Sequence, residues 1–83
     1  MNKVLVEICI PAISDRFDIF VPVDVTIQDL NRVIADGVAE ITNGRYVPSG
    51  WEQLCLSETE GVLHPMQCLL DYGIKDGTKL YLI

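Results

Sequence analysis

Apolar and polar residues alternate along two stretches near the start of the chain. From position 4 to position 10 every even-numbered residue is Val or Ile, and positions 17, 19 and 21 are Phe, Ile and Val. A period of two residues is typical of strands that bury one face. Residues 11–15 separate the two stretches, which we therefore predict to be strands 3–10 and 16–23 of an antiparallel hairpin.

The apolar spacing changes to three and four residues after position 22. Thr26 is a favoured N-cap residue, and Asp29, three positions later, approximates a capping box. The apolar stripe of the predicted helix comprises Ile27, Leu30, Ile34, Val38 and Ile41. Its polar side comprises Gln28, Asn31, Arg32, Asp36 and Glu40. Asn43 and Gly44 favour a left-handed stop. Gly37 lies inside the helix, where Gly is unfavourable, and close packing would explain it.

Shorter elements are predicted in the second half of the chain. Residues 51–57 alternate as a third strand, and Val62 and Leu63 form a very short edge strand. Residues 69–74 form a tight helical turn, and residues 79–83 alternate as the last strand. The single helix must cover one face of the sheet, because no other element can. We expect the first and last strands to be parallel neighbours at the centre, since the helix lies in their connection.

Composition limits the number of domains and the classes of partner. The chain is long enough for one domain, residues 1–83. Twelve acidic and six basic residues give a net charge of -6, which disfavours nucleic acid and anionic membrane surfaces. No stretch approaches the ~20 apolar residues of a membrane helix, so we expect no direct membrane insertion. Three widely spaced cysteines fit reduced thiols in a cytoplasmic protein.

Few residues are candidates for catalysis or metal binding. His64 and Cys68 are four positions apart, as a Cys-His nucleophile pair on one helical face would be. Pro65 lies between them, however, and no acid is placed to orient the histidine. A zinc site typically has four ligands in paired spacing, and three scattered cysteines with one histidine do not supply them. The sequence therefore predicts no enzyme, no metal site and no cofactor.

The sheet face away from the predicted helix carries more apolar residues than a solvated face usually does. Alternation places polar residues there, namely Glu7, Asp18, Gln53 and Lys79. The candidate partner-binding residues beside them are Leu5, Cys9, Phe20, Cys55, Tyr81 and Ile83. Scattered surface hydrophobes are the alternative interpretation, but their number on one face favours a site for a protein partner.

Trp51 has two interpretations. It anchors a partner, or it closes the core beneath the loop that carries Tyr46 and Pro48. We favour the second, because a lone Trp in a small domain more often packs inside.

Three short segments stand out along the chain, namely VTIQDL at the helix opening (residues 25–30), LLDYGI at the helical turn (residues 69–74) and DGTKL before the last strand (residues 76–80). They resemble the corresponding segments of the ubiquitin-like β-grasp fold. The resemblance covers nearly the whole chain. It implies an α+β fold in which one main helix packs on a mixed sheet of four to five strands. It also implies that a protein partner docks on the sheet face away from the helix, where Cys55, Tyr81 and Ile83 match the central apolar positions.

A narrower resemblance rests on PSGW (residues 48–51) together with the LLDYGIKDG segment (residues 69–77). These residues are similar to the YukD/EsaB family, the small ubiquitin-like accessory proteins of type VII (ESX-like, WXG100) secretion systems in Gram-positive bacteria. The resemblance implies a cytoplasmic accessory or regulatory component that binds secretion-machinery proteins without being conjugated to them. The alternative is a carrier or modifier activated at its C-terminus. We disfavour it, because ubiquitin and the bacterial sulfur carriers end in Gly-Gly, whereas this sequence ends in Ile83.

Overall fold

A computed structural model describes residues 3–59 and 61–83. In these ranges the elements are β1 (Lys3–Ile10), β2 (Asp15–Pro22), α1 (Ile27–Ile41), β3 (Leu54–Leu56) and β4 (Thr78–Leu82), with short 3₁₀ helices at Pro11–Ile13 and Leu69–Tyr72. The predicted hairpin, main helix, helical turn and last strand all form. Across the same ranges, no helix combines the length and the apolar character that a bilayer crossing demands.

The four strands form one mixed sheet in the order β2-β1-β4-β3. β1 is antiparallel to β2 and parallel to β4, and β3 is antiparallel to β4. The prediction that the first and last strands are parallel neighbours at the centre is therefore confirmed. The long connection that parallel pairing requires contains α1, which covers one face of the sheet.

The core lies between α1 and the sheet. Alternate residues of β1 from Val4 to Ile10 are buried there, together with Leu80 and Leu82 of β4. Thr26 caps α1, since its Oγ1 accepts a hydrogen bond from the Asp29 N–H at 3.3 Å. The predicted apolar stripe is buried as far as Val38, with Ala35 added to it.

Ile41 was predicted to complete that stripe, but this is wrong. It is the last residue of α1, and 54% of it is exposed. The stripe therefore extends one turn beyond the part that the sheet covers. The chain then leaves the helix as predicted, through Asn43 at φ 53° and Gly44 at φ 84°.

The predicted third strand, residues 51–57, is shorter in the structure. Only Leu54–Leu56 is a regular strand, although Gln53 and Ile83 still exchange backbone hydrogen bonds of 2.7 and 2.9 Å. The predicted edge strand at Val62 and Leu63 is reduced to a bridge on the outer side of β3, where the Leu63 N–H donates to the Leu54 carbonyl at 2.8 Å. Residues 61–63 thus occupy part of the outer edge of β3.

Close packing does not explain Gly37. Among the described residues, a Cβ built at Gly37 meets nothing within 4 Å beyond its own stretch of helix. Gly37→Ala should therefore raise the free energy of unfolding by about 0.5–1 kcal/mol, because Ala loses less backbone entropy on folding than Gly does. Urea denaturation measures the change.

Gly44→Ala is the matched control. It also meets open space, but its φ of +84° strains any residue with a Cβ. We expect this substitution to destabilise the protein. A Gly37→Ala variant that is less stable than the wild type would contradict the prediction.

Candidate partner-binding surface

The strand register brings the predicted partner-binding residues onto the sheet face that α1 does not cover, which we call the open face. Leu5 of β1 pairs with Phe20 of β2. Cys9 pairs with Tyr81, and Tyr81 pairs with Cys55. Side chains of paired residues point to the same side of a sheet, and the intervening residues of β1 face α1. The register thus forms two groups, one around Phe20 and one around Tyr81.

Ile83 extends the second group. It follows Tyr81 by two positions and pairs through its backbone with Gln53, so it lies beside Tyr81 at the end of the sheet. We refer below to the Phe20 group (Leu5 and Phe20) and the Tyr81 group (Cys9, Tyr81 and Ile83).

A row of charged residues separates the two groups. Glu7 pairs with Asp18 on one side and Lys79 on the other. Lys79 Nζ lies 3.7 Å from Glu7 Oε2. Residues on the same face of a strand are about 7 Å apart, so this row occupies the space between the apolar groups. A partner that covers the open face must therefore present polar groups opposite the row.

The exposed apolar side chains lie at the two ends of the open face. Phe20 is 66% exposed and Ile83 is 57% exposed. The other members of the two groups are half-buried, namely Leu5, Cys9 and Tyr81. The most accessible apolar contacts thus lie on either side of the charged row.

Cys55 was predicted to be an accessible contact, and this is wrong. It points to the open face, but only 7% of it is exposed. It pairs with Tyr81 on one side and forms a bridge with Val62 on the other. A small side chain between two larger neighbours is covered by them, so Cys55 packs as a small hydrophobic residue.

Cys9 keeps its proton at neutral pH. Burial raises the pKa of its thiol, and the hydrogen bond to Glu7 and the negative charge of Glu7 raise it further. The Sγ–Oε2 distance is 3.5 Å. Since the thiolate rather than the thiol is the nucleophile, Cys9 is suited to packing and not to attack.

The loop after α1 is organised by Glu52, a residue that the sequence analysis did not select. Its carboxylate accepts hydrogen bonds from the Tyr46 hydroxyl at 2.7 Å and from the backbone N–H groups of Ser49 at 2.7 Å and Gly50 at 3.1 Å. Both Tyr46 and Glu52 are buried. We call this arrangement the Glu52 clamp, because one carboxylate holds residues 46, 49 and 50 together.

The two side chains of the clamp differ in protonation. Burial raises the pKa of Glu52, but hydrogen bonds from Ser49, Tyr46 and nearby backbone N–H groups outweigh it and leave the pKa below its usual value. Burial, the hydrogen bond to Glu52 and the charge of Glu52 raise the pKa of Tyr46 to about 12. At neutral pH an ionised carboxylate thus accepts a hydrogen bond from a neutral phenol, which is a charge-assisted bond.

Trp51 was predicted to close the core, and this is wrong as well. It is 86% exposed, and Tyr46 occupies the buried position beneath the loop. The backbone N–H of Trp51 donates to Ser49 Oγ at 3.0 Å. The backbone N–H groups of residues 49–51 are therefore hydrogen-bonded within the loop, and the indole side chain lies outside it.

His64 and Cys68 do not lie on a shared helix. The 3₁₀ helix begins only at Leu69, after both residues. The His64 Nδ1 accepts a hydrogen bond from the Met66 N–H at 3.1 Å, and the Cys68 N–H donates to Asp71 Oδ2 at 2.8 Å. Both residues thus contribute to local turns. In the part of the chain that the structure describes, no three His, Cys, Asp or Glu side chains are grouped to hold a metal ion.

Solved structures share this architecture. The ubiquitin-like domain of the Mycobacterium tuberculosis type VII secretion system protein ECCD1 matches with a TM-score of 0.78 and 18% identity, covering 100% of this chain and 99% of that one. The EccD5 ubiquitin-like domain from Mycobacterium xenopi gives 0.73 and 18%, covering 100% and 94%. The UBL domain of Plasmodium falciparum Dsk2 gives 0.73 and 20%, covering 96% and 95%. The chain therefore has the ubiquitin-like β-grasp fold, as predicted.

Sequence comparisons do not assign the chain to a protein family. No protein-family model matches the chain, and no curated protein matches it. At the identities above, the structural likeness establishes the fold alone.

Proposed function

We propose that this protein is a ubiquitin-like interaction module, a cytoplasmic accessory or regulatory component of a type VII secretion system that binds a protein partner through the open face. The observation that carries the proposal is the exposure of Phe20 and Ile83 on a sheet face that no element of the described chain covers. The likeness to two ubiquitin-like domains of type VII secretion proteins supports the proposed setting, as does the YukD/EsaB-like sequence.

The open face has the composition of a docking surface. Burying a large apolar side chain completely contributes about 1.5–3 kcal/mol, so the two exposed apolar ends offer a partner most of the available binding energy. The charged row between them contributes less, since half-exposed ion pairs are worth about 0–1 kcal/mol. Its charges are unevenly placed, with Asp18 and Glu7 on one side and Lys79 on the other, which instead favours one orientation of the partner.

The test is to replace the two most exposed contacts and measure association. A Phe20→Asp, Ile83→Lys variant should lose at least about tenfold in affinity for a secretion component that co-purifies with the wild type. Far-UV circular dichroism should be unchanged, because both residues are exposed. Cys55 is kept, since its burial makes a charged substitution disruptive.

Val33→Lys is the matched control, because Val33 is 60% exposed but lies on α1, away from the open face. Undiminished association in the double variant, or equal loss in Val33→Lys, would refute the site. Co-purified partners that include no secretion component would refute the secretion role and leave the binding module intact.

A further inference from the structure

The outer edge of β2 faces away from the rest of the sheet, because β2 lies at one end of the order β2-β1-β4-β3. The hydrogen bonds of Leu5 show which residues of β2 point to that edge. The Leu5 N–H donates to Asp76 Oδ1 and the Leu5 carbonyl accepts from the Gly77 N–H, each at 2.8 Å, so both groups point away from β2. Leu5 and its partner Phe20 therefore exchange no hydrogen bonds, and the Phe20 N–H and C=O point outward.

The same orientation repeats at every second residue of β2, because its register with β1 is unbroken. Arg16 and Asp18 thus also present their backbone groups at the outer edge. The Arg16 N–H donates to Oδ1 of the neighbouring Asp15 at 2.8 Å. No acceptor for the Asp18 or Phe20 N–H is found in the part of the chain that the structure describes. This edge therefore offers unpaired backbone donors and acceptors to another strand.

The side chains along the edge carry one charge of each sign. Arg16 and Asp18 are both exposed and lie two positions apart on the same face of β2. The ion pairs found among residues 3–59 and 61–83 are Arg45–Asp15 and Lys79–Glu7. Neither Arg16 nor Asp18 takes part in them. Edge charges of a single sign would prevent a strand from pairing with its own copy, whereas this pair of charges is complementary to itself when the strand is reversed.

We propose that the outer edge of β2 pairs antiparallel with β2 of a second copy of this chain. Two-fold pairing centred on Phe17 places Arg16 of each copy opposite Asp18 of the other. Opposite charges directly across two antiparallel strands are stabilising, and like charges there are destabilising. Pairing centred on Asp18 would place two aspartates opposite each other. Pairing centred on Ile19 would leave Arg16 and Asp18 opposite uncharged residues.

The register centred on Phe17 also joins backbone groups and apolar side chains. Each Asp18 N–H donates to the Arg16 carbonyl of the other copy, and each Arg16 N–H exchanges its bond to Asp15 for the Asp18 carbonyl. The two Phe17 side chains, which are half-buried in the single chain, lie opposite each other with Cα atoms about 4.5 Å apart. The two sheets become one, with both open faces on the same side.

Sedimentation equilibrium of the purified complete chain, from about 10 µM to 1 mM, tests the proposal. Pairing of one short segment gives an interface at the low end of the size range, and two copies of charge -6 repel each other. We therefore expect a weak dimer, with Kd on the order of 0.1 mM. The Asp18 amide should exchange its hydrogen more slowly as the protein concentration rises.

Exchanged charges locate the interface. Arg16→Asp and Asp18→Arg each place like charges opposite each other, and each should weaken the dimer at least about tenfold. An equimolar mixture of the two variants should form a dimer with one copy of each, because both cross-strand pairs are then Asp opposite Arg. The double variant Arg16→Asp, Asp18→Arg should associate as the wild type does, within about threefold. Far-UV circular dichroism should be unchanged throughout, since both residues are exposed.

Glu58→Arg is the matched control for Asp18→Arg. It makes the same change in net charge at an exposed residue that follows β3, at the opposite end of the sheet, and it should not weaken the dimer. A wild-type chain that stays monomeric up to about 1 mM, a dimer that persists in either single variant, or a mixture that associates no better than its components would overturn the proposal. These measurements use the purified chain alone, so they do not depend on a partner at the open face.

Discussion

Replacement of Glu52 by Gln is expected to lower the free energy of unfolding by about 2–4 kcal/mol. The carboxylate accepts hydrogen bonds from Tyr46, Ser49 and Gly50, and bonds to a charged acceptor are worth about 1.5–3 kcal/mol each. Gln keeps the shape but turns an NH₂ group toward one set of donors, which then lack an acceptor. Urea denaturation at neutral pH measures the loss.

Glu40→Gln is the matched control for this substitution. It makes the same chemical change at an exposed position of α1, and we expect an effect within about 0.5 kcal/mol. Equal stabilities of the Glu52→Gln variant and the wild type would show that the clamp does not stabilise the fold.

The Glu52→Gln variant should also lose part of the pH dependence of the free energy of unfolding. The pKa of Glu52 is lowered in the folded protein, so its contribution is present above the unfolded value, about 4.3. It is lost as the pH falls through the folded value. The pKa of Tyr46 is raised to about 12, so its contribution is present below its unfolded value, about 10, and is lost as the pH rises from there.

Comparison of wild type and Glu52→Gln from acid to alkaline pH isolates these contributions. The difference in stability should be largest near neutral pH and should shrink at both extremes, below about pH 4 and above about pH 10. A difference that stays constant across this range would contradict the assigned protonation states.

Elements specified by local periodicity were predictable from the sequence. β1 matches its predicted bounds, and β2 begins one residue earlier than predicted. α1 starts after the predicted Thr26 cap. In each case the signal lies within the segment itself, because strand alternation and helical spacing directly express which side faces the core.

Loop contacts were harder to predict, because burial there depends on residues that are distant in space. Nothing near Trp51 indicates that Tyr46 occupies the buried position instead. The sequence did contain a signal for Glu52 that we did not use. Glu52 lies two positions before Leu54, which faces the core, so strand alternation places the Glu52 side chain on the core side as well. A charged residue at an inward position that follows a Ser-Gly turn indicates a side chain that binds the N–H groups of that turn.

The open face was predictable as a face but not in its detail. Alternation placed its residues correctly, yet the burial of Cys55 follows from the bridge to Val62, which depends on how a later loop returns to β3. A groove between α1 and residues 48–50 was not predictable at all. It depends on the distance between α1 and a clamped loop, and no periodicity in the sequence encodes that distance.

Two adjacent leucines are expected to differ greatly in how much stability they lose on substitution by Ala. Leu69 is fully buried in the core, whereas Leu70 is 65% exposed. Leu69→Ala removes buried methyl groups and leaves a cavity, which costs about 2–5 kcal/mol. Leu70→Ala should change stability by no more than about 0.5 kcal/mol. For a domain of this size the total is about 4–12 kcal/mol, so Leu69→Ala alone removes a large part of it.

The contrast arises from the geometry of the 3₁₀ helix Leu69–Tyr72. The Leu70 N–H donates to the Val23 carbonyl at 3.1 Å, which ties the turn to the segment between β2 and α1 and fixes which leucine points inward. Urea denaturation of the two variants, with equal slopes against denaturant, measures both changes. Similar losses in the two, or a larger loss for Leu70→Ala, would show that the turn is rotated from the orientation described. The LLDYGI segment would then not hold β4 against the core in the way this fold requires.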